Sequence, residues 1–370
     1  MNAVKYFYAS YQFSASTKSE AETLAQSIAV EQSVEMPPET VPEEFKSYIA
    51  EVSELSNIGD NNWQATIQFS TALVGSDPVQ FLNVLFGNSS IKPNIKLVDV
   101  DRSFLSKICD GPSFGISGIR TLLKAENRAL SCTALKPVGL TPAHLAERAY
   151  HFTRGGIDII KDDHGLANQP SAPFKSRVQS VVRAVRKGEQ ISGKKTLYFP
   201  NITGSGSEIL DRFKLATDLG ADGVLISPQL TGLSIMQELA AKSELPIMAH
   251  PAFSGVFVNH PSGGIAPELY YGLLWRSYGA DAIIYPNAGG RFGFSEELCT
   301  KINHQCRAKI AGLRSSLPTP GGGIDRKTIP YWLEKYGKET IFLIGGSLYE
   351  HPIGLEEAAR EFQQMLHNDE

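Results

Sequence analysis

GGIDIIKDDHG, residues 155–165, decides how the chain is read. Ile157, Ile159 and Ile160 make a short run that is apolar on both faces, with a glycine pair before it and a cluster of charges after it. Such a run fits a parallel strand covered on both sides. The same rhythm of short apolar strand, loop and helical pattern recurs on either side of it. The predicted strands are ALSCTALK (129–136), IDIIKDD (157–163), TLYFPNI (196–202), GVLISP (223–228), PIMAH (246–250), DAIIYP (281–286), SSLPTPGG (315–322) and TIFLIGG (340–346). Helical patterns follow them, as in PAHLAERAYHFTRG after the first and PELYYGLLWRSYGA after the fifth. Eight such units between residues 113 and 370 predict an α/β fold with a C-terminal (β/α)₈ (TIM) barrel. A doubly wound open sheet is the competing arrangement, and eight regular units favour closure.

Chemistry in such a barrel sits at the C-terminal strand ends. That rule singles out Lys136, Lys161, Asp163, His164, Asn201, His250, Arg291, the glycines at 321–323, and Gly345 with Gly346. Isolated buried charge is costly, so the Lys161–Asp163 cluster needs partners. Asp163 and His164 supply an oxygen and a nitrogen ligand, whereas Mg²⁺ prefers oxygen. Lys161 as an ammonium would repel a cation; carbamylated by CO₂ it would become an oxygen ligand. A Lys–Asp salt bridge at the barrel mouth is the equal alternative. Glycine-rich strand ends are often tight turns, but at the adjacent seventh and eighth strands they suit a phosphate. His250 is read as a substrate contact over a buried core histidine. Arg291 divides between a substrate anion and a surface pair.

Residues 1–112 follow a different pattern. VKYFYASYQF and NNWQATIQFST alternate as strands, TKSEAETLAQSIAVEQS has helical spacing, and IKLVDVD is a further strand. DPVQFLNVLFG reads as a helix with Asp77 as N-cap and Pro78 at its first position. The order β-α-β-α-β predicts a small N-terminal α+β, ferredoxin-like domain, followed by a barrel domain over 113–370. The 370 residues are 42% hydrophobic and 20% charged, with a net charge of −4, which supports a sizeable core and argues against a nucleic-acid partner. The sequence lacks a long apolar run for a membrane span and a basic-then-apolar leader, and its four cysteines show no CxxC spacing. A cytoplasmic protein is expected.

Several motifs carry a family resemblance. GGIDIIKDDHGLANQP resembles the metal-binding strand of RuBisCO, GG-(L/I)-D-x-x-KDDE. ALKPVGL (134–140) is similar to the family's IKPKLGL, and CDGPSFGI (109–116) to its FxGPxxGI lead-in to the barrel. PIMAHPAFSG, PGGGID and FLIGGSLYEHP match the fifth, seventh and eighth strand ends in order. The departures are equally specific. Val138 stands where the carboxylase has its second lysine, His164 replaces the metal-site Glu, and His250-Pro251 replaces a His-Arg pair. AVEQSVEMP retains Glu31 but lacks the Gly-Thr-Trp that helps hold a phosphate, and FGNSS retains Gly87-Asn88. The chain is thus identified as a RuBisCO-like protein (form IV), of the short bacterial branch that includes sulfur-salvage enzymes.

The resemblance implies that Lys161 is a carbamylated ligand of Mg²⁺ beside Asp163 and His164. It implies that Lys136 exchanges protons with the substrate, that His250 contacts substrate oxygens, and that Asn201 lines the mouth. Gly322, Gly323, Gly345 and Gly346 would offer backbone N–H groups to a phosphate, with Arg291 on the sixth loop. Glu31 and Asn88 would reach into a neighbouring chain's barrel, making a homodimer. The expected reaction is enolisation of a phosphorylated ketose-like substrate without carboxylation, as in a 5-methylthioribulose-1-phosphate isomerase. Decarboxylation or hydrolysis of a 3-oxo-isoapionate-phosphate-type keto acid, a 2,3-diketo-5-methylthiopentyl-1-phosphate enolase, and a non-catalytic regulatory scaffold are the alternatives.

Overall fold

The computed structural model describes residues 5–367. By internal contacts the chain divides into two units. One gathers the residues up to Cys109 with Ser254–Tyr270 and Ile310–Gly312; the other comprises Asp110–Phe253, Tyr271–Lys309 and the residues from Leu313 onward.

The first unit runs β1 (Tyr6–Ser14), α1 (Lys18–Glu31), β2 (Glu51–Gly59), β3 (Asn62–Ser70), α2 (Pro78–Phe86) and β4 (Ile95–Val100). Val4, part of the predicted first strand, lies outside the described residues. The sheet order is β4-β1-β3-β2, all antiparallel, with the two-residue strand Gly264–Ile265 added in parallel beside β4. Alternation in β1 buries Phe7, Ala9, Tyr11 and Phe13. Its opposite face pairs Tyr8, Ser10, Gln12 and Ser14 with Gln68, Thr66, Gln64 and Asn62 of β3. Asp77 caps α2 through the Val79 N–H at 2.8 Å, ahead of Pro78. The fold is β-α-β-β-α-β, so β2 is a strand beyond the expected order. It is an edge strand with no buried residue and lacks the alternation with buried positions that marks β1 and β3. Its turn residues Asp60 and Asn61 both have positive φ, 47° and 60°, the mark of a two-residue hairpin turn.

In the second unit all eight predicted barrel strands form, as Leu130–Leu135, Ile159–Asp162, Leu197–Phe199, Val224–Ile226, Ile247–Ala249, Ala282–Pro286, Leu317–Gly321 and Ile341–Leu343. They pair in parallel in the order third, second, first, eighth, seventh, sixth, fifth, fourth. A parallel bridge between Asn201 and Leu225 joins the third strand end to the fourth, so the ring closes. Alternate residues, among them Leu130, Cys132, Ile159, Leu197, Phe199, Leu225, Met248, Ala282, Leu317 and Ile341, form one buried core with Ile119 and Leu123 of the helix Gly115–Leu123. The helix predicted after the fifth strand winds as a π-helix over Glu268–Leu274 before Trp275–Ser277. No helix among the described residues is long and apolar enough to cross a membrane.

Candidate active site

Strand parity places the candidate residues. Cys132 and Ile159 point into the barrel core, so residues two and four further along the same strands, Lys136, Lys161 and Asp163, continue the inward row toward the mouth. Lys161 is 2% exposed, and its Nζ donates to the Asp162 carbonyl at 3.2 Å. Burial pushes this amine below its ordinary pKa, against the opposing pull of Cys132 and Asp163. Asp163 Oδ2 lies 2.5 Å from Lys136 Nζ, while Oδ1 accepts the Gly165 N–H at 3.0 Å and lies 3.4 Å from His164 Nδ1. Burial raises the Asp163 pKa, but the Lys136 and Gly165 hydrogen bonds and the Lys161 charge outweigh it and hold the carboxyl below its usual range. The Lys136 side chain is 38% exposed, so it meets both solvent and the cluster.

His164 and His250 stack with ring centroids 4.5 Å apart and planes 11° from parallel. Burial, then neighbouring positive charge, keeps His250 well below the ordinary histidine range. Burial also lowers His164, opposed by Asp163 and assisted by Lys161, Lys136 and Arg291. Both rings are thus neutral near pH 7, the state in which an imidazole can stack on its neighbour or ligate a metal. His250 Nδ1 accepts the Ala252 N–H at 3.1 Å, which puts the ring proton on Nε2, a donor for a substrate oxygen.

Asp162 points the other way. Its carboxylate takes Arg177 Nε at 3.0 Å, the Tyr198 hydroxyl at 2.8 Å and the Asn201 N–H at 3.0 Å. Arg177 also binds the Ala172 and Ala167 carbonyls, tying the loop after the second strand to the helix Phe174–Ser192. Reading the strand end alone missed this support; a lone arginine among the apolar positions of that helix was its one sequence signal. Asn201 donates from Nδ2 to the His164 carbonyl at 2.9 Å and accepts the Thr203 N–H, so it holds the second and third strand loops in place.

Arg291 is exposed, with its guanidinium 5.0 Å from the Phe292 ring centroid. The four glycines divide. A Cβ on Gly323 would stand 2.4 Å from the Gly290 nitrogen, so this residue is small to let two loops meet. A Cβ on Gly346 would meet nothing within 4 Å, and one on Gly345 would lie 3.8 Å from Lys136 Cε. Gly322 has φ +79° and lies beside the Phe292 ring. In the first unit, Glu31 accepts Asn88 Nδ2 at 3.1 Å and pairs with Lys92 at 2.7 Å. The buried His351 has its Nε2 3.2 Å from the half-exposed Glu361, in a structural pair.

Among the described residues no three His, Cys, Asp or Glu side chains gather as a ready metal cage. Asp163 and His164 are two donors, and the third position falls to Lys161. A buried amine shifted toward its neutral form beside a carboxylate is the species that adds CO₂, and its carbamate would complete an oxygen-rich set. The donor set therefore fits a Mg²⁺ ion held by Lys161, Asp163 and His164.

Residues 115–368 match the ribulose bisphosphate carboxylase large chain, catalytic domain. The chain belongs to this family. Among its relatives, the 5-methylthioribulose-1-phosphate isomerase of Rhodospirillum rubrum is 38% identical over 353 residues, 94% of this chain and 92% of that protein. The 2,3-diketo-5-methylthiopentyl-1-phosphate enolase of Bacillus velezensis is 33% identical over 327 residues, 87% of this chain and 81% of that protein. The crystal structure of a Rubisco-like protein from Rhodopseudomonas palustris superposes with a TM-score of 0.88 at 35% identity, covering 99% of both chains. The RuBisCO-like family thus accounts for both the barrel and the small antiparallel-sheet unit.

Proposed function

We propose that the chain is a Mg²⁺-dependent isomerase that enolises a 5-methylthioribulose-1-phosphate-type sugar phosphate and transfers a proton along its carbon chain. The observation that carries this reading is the mouth cluster of Lys136 at 2.5 Å from Asp163, beside Lys161 and the stacked His164–His250 pair. The named activity of the Rhodospirillum rubrum relative, at 38% identity, supports the choice of substrate class. Lys136, in its neutral amine form, takes the α-proton at Nζ, becoming the ammonium, and returns that proton at another carbon. His250 Nε2–H donates to the substrate oxygen on which charge builds. Lys161 as a carbamate, Asp163 and His164 would hold the cation, which when bound would polarise two substrate oxygens and favour the enediolate. Gly345 and Gly346, with Gly322 at the end of the neighbouring seventh strand, offer N–H groups to the single phosphate, and Arg291 adds positive charge from the sixth loop. Glu31 and Asn88, already hydrogen-bonded to each other, serve the site of a second copy in a homodimer. The four cysteines are all buried thiols, which supports a reducing, cytoplasmic setting.

The Bacillus velezensis relative supports a second reading, a 2,3-diketo-5-methylthiopentyl-1-phosphate enolase built on the same proton transfer. Incubation with 5-methylthioribulose-1-phosphate in D₂O, after activation with Mg²⁺ and bicarbonate, separates them. Deuterium entering an isomerised product supports the isomerase. Turnover of the diketo phosphate alone selects the enolase. No exchange, with CO₂ release from a β-keto-acid sugar phosphate, replaces both with a decarboxylase.

A further inference from the structure

Tyr349 lies on the short helix Gly346–Glu350, in the loop after the eighth barrel strand. Its hydroxyl donates to the Ala134 carbonyl at 2.8 Å and accepts the Lys136 N–H at 3.0 Å. These two main-chain groups lie two residues apart on one edge of the first strand, the edge that faces the eighth strand. The regular pairing of those strands ends at Leu343 opposite Cys132, followed by the Ile344 N–H to the Cys132 carbonyl. Beyond that point the Tyr349 hydroxyl stands in for the missing strand and satisfies both groups. The ring is held edge-on by Phe152 at 5.5 Å, with the Arg148 guanidinium 5.1 Å from its centroid. Burial pushes the phenol up to about 12, so it keeps its proton and remains both donor and acceptor near neutrality.

The same loop carries Gly345, which faces the Lys136 stem, and Gly346, which is open to a ligand. A lysine amine rides on four flexible carbons, so its place depends on how firmly its own backbone is held. We infer that Tyr349 is a positioning residue for Lys136, and that it links the setting of this base to the Gly345–Gly346 loop where phosphate would bind. The inference rests on the reading of Lys136 as the proton-moving group. Phosphate settling on the loop would steady the 346–350 turn, hence Tyr349, hence the backbone of Lys136.

Tyr349→Phe keeps the ring between Phe152 and Arg148 and removes only the hydroxyl. With the sugar phosphate as substrate, kcat should fall by about tenfold to a hundredfold, as misplaced catalytic groups do. KM should change by less than about threefold, because the loop glycines remain. Hydrogen exchange at the Lys136 amide should quicken by about tenfold, the worth of one lost hydrogen bond. In the native protein, inorganic phosphate should slow that amide's exchange; in Tyr349→Phe it should not. A kcat within twofold of native, or an unchanged Lys136 exchange rate in the variant, overturns the inference. So does a loss of protection spread over the whole barrel, which would mark a merely structural role. If the native protein leaves the sugar phosphate untouched yet phosphate still slows Lys136 exchange through Tyr349, the proposed substrate fails and the link between loop and lysine stands.

Discussion

Gly323 and Gly346 lack side chains for opposite reasons. Gly323 has φ +74° and presses against the Gly290 backbone, so any Cβ there collides with main chain that cannot turn aside. Gly346 faces open space at the barrel mouth. Gly323→Ala should therefore cost about 1–3 kcal/mol of stability, read by urea unfolding. Gly346→Ala should leave the urea midpoint in place while raising KM for the phosphorylated substrate by about tenfold, since a methyl group would fill the space a phosphate oxygen needs. Equal effects of the two changes on stability would remove the distinction between a packing glycine and a binding one.

The second barrel strand shows how one short element serves two faces. Lys161 and Asp163 turn inward to the mouth, and Asp162 between them turns outward to Arg177. Both partners of that outward pair are wholly buried, and Tyr198 and the Asn201 N–H complete the carboxylate's shell. A buried pair of this kind adds modest net stability, but breaking it leaves a charge with nowhere to go. Arg177→Met should lower unfolding stability by about 3–5 kcal/mol in urea titrations. The loop from Ala167 to Ala172, which Arg177 also anchors, should become more sensitive to protease in the same variant. A loss below about 1 kcal/mol would show that the pair is dispensable.

At the scale of the barrel unit, Asp281 ties three elements at the base of the sixth strand. It accepts N–H groups from Phe114 and Gly115, which open the helix Gly115–Leu123, and from Ile247 of the fifth strand. Burial dominates over these three donors and raises its pKa to about 6. The folded form therefore holds its proton more tightly than the unfolded chain, whose value is near 3.8. The stabilisation this gives is complete below about pH 4 and is lost as pH rises through about 6, by roughly 3 kcal/mol. Chemical denaturation between pH 4 and 6 should show this decline. Asp281→Asn should abolish this slope while lowering stability throughout the window, because its amide would face the Ile247 N–H donor to donor. A slope that survives the substitution would place its origin in another group.

The eight barrel strands were legible because buried parallel strands are short, apolar on both faces and bounded by turns, a pattern written locally along the chain. The inward direction of Lys161 and Asp163 follows from the same local alternation. β2 was not legible, because an exposed edge strand carries little apolar signal. Nor was the grouping of Ser254–Tyr270 with the first unit, which depends on Gly264 and Ile265 pairing with Lys96 and Leu97 far away in sequence. The division of the glycines also lies in the fold, since only a neighbouring backbone tells Gly323 from Gly346. Sequence by itself determined the barrel, the small α+β unit and the inventory of charged strand ends. Tertiary structure alone decided which of those groups are spent on each other. It pairs Lys136 with Asp163 across two strands and brings Tyr349 to Lys136 over 213 residues of chain. Backbone alternation is a property of neighbours along the chain, whereas a hydrogen bond between strand ends exists only once the ring has closed.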